Sequence, residues 1–267
     1  MLDLTGKVAI VTGAGSVGPG WGNGKATAVL LARQGAKVFG IDVNADAASV
    51  TGNIIKDEGG TCVVHTCNML FAKEVSAAVD TCVERFGRVD ILINNVGGSA
   101  PGDPVSMSEE VWDGQIDLNL RTAFLGCKYV LPIMERQNSG AIVNIASIAG
   151  LRHHVAARTY VAYSSAKAGL IALGKATAMA YVKKGIRCNT VVAGTLHTPL
   201  VEARLVRTIG GGDAEALIAK RNASIPMGRM GDAWDVANAV AFLVSDEAHY
   251  ITATELVVDG GISAARP

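Results

Sequence analysis

The chain has 267 residues, 49% hydrophobic and 18% charged, enough for one large α/β domain with a substantial buried core. Its 24 Lys and Arg balance 24 Asp and Glu, and no basic cluster with interleaved aromatics occurs, so no nucleic-acid partner is expected. Five scattered cysteines (Cys62, Cys67, Cys82, Cys127 and Cys188) have neither zinc-site nor disulfide-framework spacing, which points to reduced thiols and a cytoplasmic setting. The first residues are acidic and polar and run straight into a strand pattern. Neither a signal peptide nor an apolar run of about eighteen residues is present, so no membrane association is expected.

In chain order, short apolar runs at 8–11, 37–41, 62–65, 91–93, 141–145, 187–192 and 255–258 read as seven strands buried on both faces. Helical patterns fall between them at 24–34, 45–58, 73–86, 108–135, 160–183 and 233–244. The alternation predicts a single doubly wound (Rossmann) domain over 1–267, its mainly parallel sheet covered by helices on both faces. Residues 199–230 break the rhythm: they hold no strand, three consecutive glycines and a short helical run at 214–221. An irregular segment of that size in a compact domain reads as a substrate-binding lid.

The first strand ends in Gly13-Ala14-Gly15-Ser16-Val17-Gly18-Pro19-Gly20-Trp21-Gly22-Asn23-Gly24, and a helix follows at once. A glycine-rich strand-to-helix turn lets backbone N–H groups approach a diphosphate seated on the helix N-terminus. Asp42 closes the second strand, eighteen residues past Gly24. A carboxylate there can accept hydrogen bonds from an adenosine ribose and would repel a 2′-phosphate. Val43-Asn44 supplies no compensating positive charge, so NAD is expected rather than NADP. Asp42 also suits a plain turn or cap residue.

Tyr163 and Lys167 stand four residues apart, one helical turn, which puts phenol and ammonium on the same face. A nearby cation favours the phenolate, and a tuned tyrosine can exchange a proton with a hydroxyl or carbonyl oxygen. Ser147, sixteen residues upstream, offers a hydroxyl to orient that oxygen. The same spacing also arises as a half-buried ring beside a solvated charge, so its meaning rests on the surrounding motifs.

Those motifs make the chain resemble the short-chain dehydrogenase/reductase family, over 7–261. Asn94-Asn95-Val96-Gly97 is similar to the family's cofactor-bordering Asn-Asn-Ala-Gly, Asn119 to its helix asparagine, and Ser147, Tyr163 and Lys167 to its signature set. Thr198 matches the threonine that reaches the nicotinamide carboxamide, and Val257-Val258-Asp259-Gly260-Gly261 the closing strand. The resemblance implies that Tyr163 is the general acid/base, Ser147 holds the substrate oxygen, Lys167 lowers the tyrosine pKa and binds the nicotinamide ribose, and Asn119 anchors a proton-relay water. It further implies dinucleotide contacts from Gly13, Asn23, Asp42, Asn68, Met69, Asn95, Tyr163, Lys167, Leu196 and Thr198, and a homotetramer paired through helices 108–135 and 160–183 and the C-terminal strand.

The chain departs from the family pattern in four places. Eight residues intervene between Gly13 and Gly22, a lengthened loop. Asn68 replaces a frequent aspartate, Ala193-Gly194 replaces Pro-Gly, and the Ser147–Tyr163 interval is extended within 152–159. The long loop resembles the enoyl-reductase branch, where tyrosine and lysine are spaced more widely; Tyr160 stands seven residues before Lys167. The expected activity is therefore hydride transfer between NAD and a secondary alcohol or ketone, against enoyl-thioester reduction through Tyr160 or a non-catalytic dinucleotide-binding protein. Candidate pocket residues are Ser99, His153, His154, Tyr160, Thr195, His197 and parts of 199–226. No metal-ligand cluster is apparent, because His153-His154 lacks further ligands.

Overall fold

The computed structural model describes residues 2–152, 159–201 and 214–265. Seven parallel strands form one sheet: β1 Val8–Thr12, β2 Lys37–Asp42, β3 Cys62–Thr66, β4 Ile91–Asn94, β5 Gly140–Ser147, β6 Ile186–Ala193 and β9 Glu255–Val258. Their spatial order is β3-β2-β1-β4-β5-β6-β9, and every pairing is parallel. Each expected strand is present, and the sheet is wholly rather than mainly parallel.

Burial on both faces is visible along β1 itself. Val8 and Ile10 point into one core with Phe39, Val75, Val130 and Met134; Ala9 and Val11 point into the other with Val29, Leu31, Val236 and Val240. Side chains alternate faces along a strand, so a strand covered on both sides must be apolar at every position. The covering helices are α1 Asn23–Arg33, α2 Ala45–Asp57, α3 Ala72–Phe86, α4 Glu109–Ile116, α5 Thr122–Gln137, α6 Val161–Tyr181, α7 Ala214–Ala223 and α8 Ala233–Val244. The strand order reverses between β1 and β4, the switch point where open α/β sheets form their ligand crevice.

Two features differ from the expected elements. The single helix expected at 108–135 is divided into α4 and α5 by a π-helical turn, Asp117–Arg121, with Asn119 buried at its centre. A π turn inserts an extra residue per turn and commonly marks a functional position. The second feature is a pair of two-residue strands, β7 Leu196–His197 and β8 Gly231–Asp232, which run parallel and clasp the two ends of the 199–230 segment together. β8 leads directly into α8, whose start is fixed by a capping box between Asp232 and Asp235.

Candidate active site

The glycine turn after β1 is shaped by close approach. Gly13 has φ +64°, and a Cβ on Gly24 would lie 1.9 Å from the Gly13 carbonyl oxygen, so only glycine can open α1 there. Despite the eight-residue excursion, Gly22 and Gly24 therefore occupy the helix-opening positions. The excursion is anchored at its far end: Trp21 packs on Trp234 of α8 at 4.7 Å between ring centroids, and the buried Lys25 donates to the Gly20 carbonyl (3.1 Å) while lying over Trp21.

The helix α1 has no side-chain N-cap and no acidic residue in its first turn. Ser16 Oγ and Asn23 Oδ1 are buried without a partner at the same place. An uncapped N-terminus beside an unsatisfied serine hydroxyl, which can donate, suits a diphosphate, so the residues fit a dinucleotide. A groove of about 550 Å³ runs from this turn along the strand ends, and Gly13, Asn23, Asp42, Asn68, Met69 and Asn95 all line it. Asp42 accepts hydrogen bonds from the N–H groups of Gly15 (2.8 Å) and Asn44 (2.9 Å), so the turn role and the groove-facing role coexist in one carboxylate. Asn95 ties β4 to the glycine turn by donating its side-chain amide to the carbonyls of Thr12 (3.1 Å) and Gly13 (3.0 Å). Asn68 accepts from Leu70 N–H at 3.0 Å, fixing the turn that presents Met69.

Thr198 lines both this groove and an adjoining cavity of about 240 Å³ that holds Ser147, Tyr163, Lys167 and Leu196. Ser147 ends β5, and its Oγ accepts from Ala149 N–H at 3.2 Å. Tyr163 and Lys167 come from the first turns of α6, with the ammonium 5.7 Å from the ring centroid. Lys167 is almost wholly buried and donates to the Ile145 carbonyl at 2.9 Å. Burial lowers its pKa from 10.5 to about 8. The Tyr163 ring is partly exposed, yet its hydroxyl sits deep enough for burial to push its pKa up, opposed by the Ser147 hydroxyl. Desolvation thus moves both groups toward their neutral forms, and for the phenol it outweighs the lowering by the Ser147 hydroxyl, with none of the lowering expected from the lysine accompanying it.

Asn119 occupies the π turn because its side chain is held from three directions. Its amide donates to the carbonyls of Gly98 (2.8 Å) and Gln115 (2.9 Å), and its Oδ1 accepts from Gly98 N–H (3.0 Å). A Cβ on Gly97 would lie 2.8 Å from Asn119 Oδ1 and 3.0 Å from Lys167 Nζ, so Gly97 is the gap through which the amide and the ammonium face each other.

The residues expected from the sequence to bind cofactor or act in catalysis therefore lie along one groove and its adjoining cavity, except Asn119, which is buried behind the lining and bonded to Gly98. Ser99 lines the cavity as well, whereas Tyr160 stands at the N-cap of α6 and is not part of the lining. His153, His154 and residues 202–213 of the lid segment lie outside the described residues. Gln115 went unread in the sequence, Gly97 was read only as part of the Asn94–Gly97 motif, and Arg221 only as part of the 199–226 pocket segment: the first two act through Asn119 and Lys167, and Arg221 reaches the cavity from α7. Only the buried polar character of a helix glutamine could have signalled the first.

A dinucleotide crevice at the sheet's switch point, opening onto a serine, a tyrosine and a lysine, defines a nicotinamide-dependent oxidoreductase. A family model described as enoyl-(acyl carrier protein) reductase matches residues 19–263. The chain is 38% identical over 259 residues to cyclohexanol dehydrogenase of Acinetobacter sp. (strain SE19), covering 97% of this chain and 95% of that one. It is 36% identical to levodione reductase of Leifsonia aquatica over 266 residues, covering 98% and 96%. Among solved structures, a Burkholderia xenovorans protein described as a short-chain dehydrogenase/reductase superposes with a TM-score of 0.92 at 48% identity, covering all of both chains. The chain belongs to the short-chain dehydrogenase/reductase family.

Proposed function

We propose that this protein is an NAD-linked dehydrogenase that interconverts a secondary alcohol and a ketone, with Tyr163 as general acid/base. The observation that carries the reading is the convergence of Ser147, Tyr163 and Lys167 on one cavity beside the dinucleotide groove. When bound, the nicotinamide gives or takes the hydride. Tyr163 gives a proton to the ketone oxygen in one direction and takes it from the alcohol in the other. The Ser147 hydroxyl holds that oxygen, and the Lys167 ammonium stabilises the phenolate left behind. Asn119 Oδ1 and Lys167 Nζ, facing each other across Gly97, support reprotonation of the phenolate from the lysine side.

Asp42 supports NAD over NADP, because a 2′-phosphate beside its carboxylate would meet like charge. Exposed Phe124, Met179 and Val257, on α5, α6 and β9, support a homotetramer built through those elements. Five buried, unpaired cysteines support a cytoplasmic setting. Among the described residues no helix is long and apolar enough to cross a membrane.

The family model's description favours a second reading, enoyl-thioester reduction with Tyr160 as the acid. Tyr163, rather than Tyr160, lining the cavity favours the carbonyl reading. The test is a panel of ketones and secondary alcohols followed by nicotinamide absorbance, with Tyr163→Phe and Tyr160→Phe in parallel. Turnover should fall by at least a thousandfold in Tyr163→Phe with dinucleotide affinity retained. Loss confined to Tyr160→Phe would transfer the role and the reaction.

A further inference from the structure

We propose that Arg221 is a carboxylate-binding subsite of the catalytic cavity, so that the ketone or alcohol turned over carries a carboxylate remote from its reacting oxygen. The inference rests on the dehydrogenase reading of the same cavity and names the class of substrate.

Arg221 stands in the last turn of α7, half-buried, and lines the same cavity as Ser147 and Tyr163. The other cation in that lining, Lys167, is committed to the Ile145 carbonyl. Among the described residues, no Asp or Glu lines the cavity, whereas two cations, Lys167 and Arg221, do. Among the described residues, the one hydrogen bond of the Arg221 guanidinium runs from Nε to the Met230 thioether (3.3 Å), a weak acceptor. Burial lowers its pKa, opposed by an electrostatic interaction with the Tyr160 phenol. Among the described residues, this desolvated guanidinium lacks the anion that normally offsets its burial. Its two terminal nitrogens form a planar fork that matches a carboxylate in bidentate fashion. Leu196, Leu200 and Val201 also line the cavity and give it an apolar stretch that suits a short hydrocarbon linker between the carboxylate and the carbonyl.

The test compares 4-oxopentanoate and 5-oxohexanoate with their methyl esters, using NADH and NADPH, in the wild type, Arg221→Met and Arg221→Lys. At least one acid should exceed its ester in kcat/KM by tenfold or more in the wild type, chiefly through KM. That ratio should fall to near one in Arg221→Met and recover in part in Arg221→Lys. A ratio that is unchanged in Arg221→Met, or an ester preference in the wild type, overturns the subsite. Calorimetric titration of the same carboxylates into dinucleotide-loaded Tyr163→Phe removes any dependence on turnover. Binding that weakens tenfold when Arg221→Met is added sustains the subsite even if no ketone is reduced, in which case the dehydrogenase reading falls alone. Absence of carboxylate binding in Tyr163→Phe sinks the subsite whether or not neutral ketones are reduced. Matched melting temperatures show that the Arg221 variants are folded.

Discussion

Lys167 should destabilise the fold it serves. It is 4% exposed, and burial takes its pKa from 10.5 to about 8. In the unfolded chain the same ammonium titrates near 10.5, so between about pH 8 and pH 10.5 the unfolded state binds the extra proton. Stability then rises with pH across that window, and below pH 8 the folded protein carries the full cost. At about 1.4 kcal/mol per pH unit, that cost is about 3 kcal/mol at neutrality. Replacing Lys167 by Met keeps the unbranched stem and removes the charge, but deprives the Ile145 carbonyl of a donor at a cost of about 1 kcal/mol. Lys167→Met should therefore be roughly 2 kcal/mol more stable than wild type at pH 7 and should lose that advantage by pH 10.5, while being inactive. Urea denaturation of both proteins at matched concentration, at intervals from pH 7 to pH 10.5, measures the difference. Titrations common to both chains cancel in it. A gap that does not change with pH, or a variant less stable at neutrality, would refute the claim that desolvation dominates this lysine.

Other perturbations act on the groove. Gly24→Ala puts a methyl 1.9 Å from the Gly13 oxygen and 2.5 Å from Asn95 Nδ2; it should cost roughly 3 kcal/mol and abolish dinucleotide binding by calorimetry. Gly114→Ala, on α4 with no neighbouring group within 4 Å of the added methyl, should instead stabilise by about 0.5–1 kcal/mol in urea denaturation. Asp42→Ala should weaken NADH binding and raise the NADPH-to-NADH affinity ratio at least tenfold. An unchanged ratio would mean that the carboxylate serves only the Gly15 and Asn44 N–H groups.

The site was legible in the sequence because of where a parallel sheet puts its strand ends. Gly13 follows β1, Asp42 ends β2, Asn68 follows β3, Asn95 follows β4 and Ser147 ends β5. Strands that all run the same way deliver these residues to one edge, and the order of motifs along the chain becomes their order along the crevice. Identifying strands by their apolar runs was therefore enough to gather most of the site, even with eight extra residues in the glycine turn. Residues supplied by helices and by the lid obey no such rule. The π turn at Asn119 has no local signature, since the periodicity of 108–135 reads as one helix. The turn is held by bonds to Gly98, whose distance in sequence conceals them. The β7–β8 clasp pairs Leu196 with Gly231 through two residues on each side, too few for any pattern to register. Arg221 depends on both kinds of information at once. Its helical run was readable, but its place in the cavity is set by how the clasp and α7 dock. Chemistry shared across a family can thus be read from strand ends, whereas substrate choice rests on segments whose placement only tertiary packing determines.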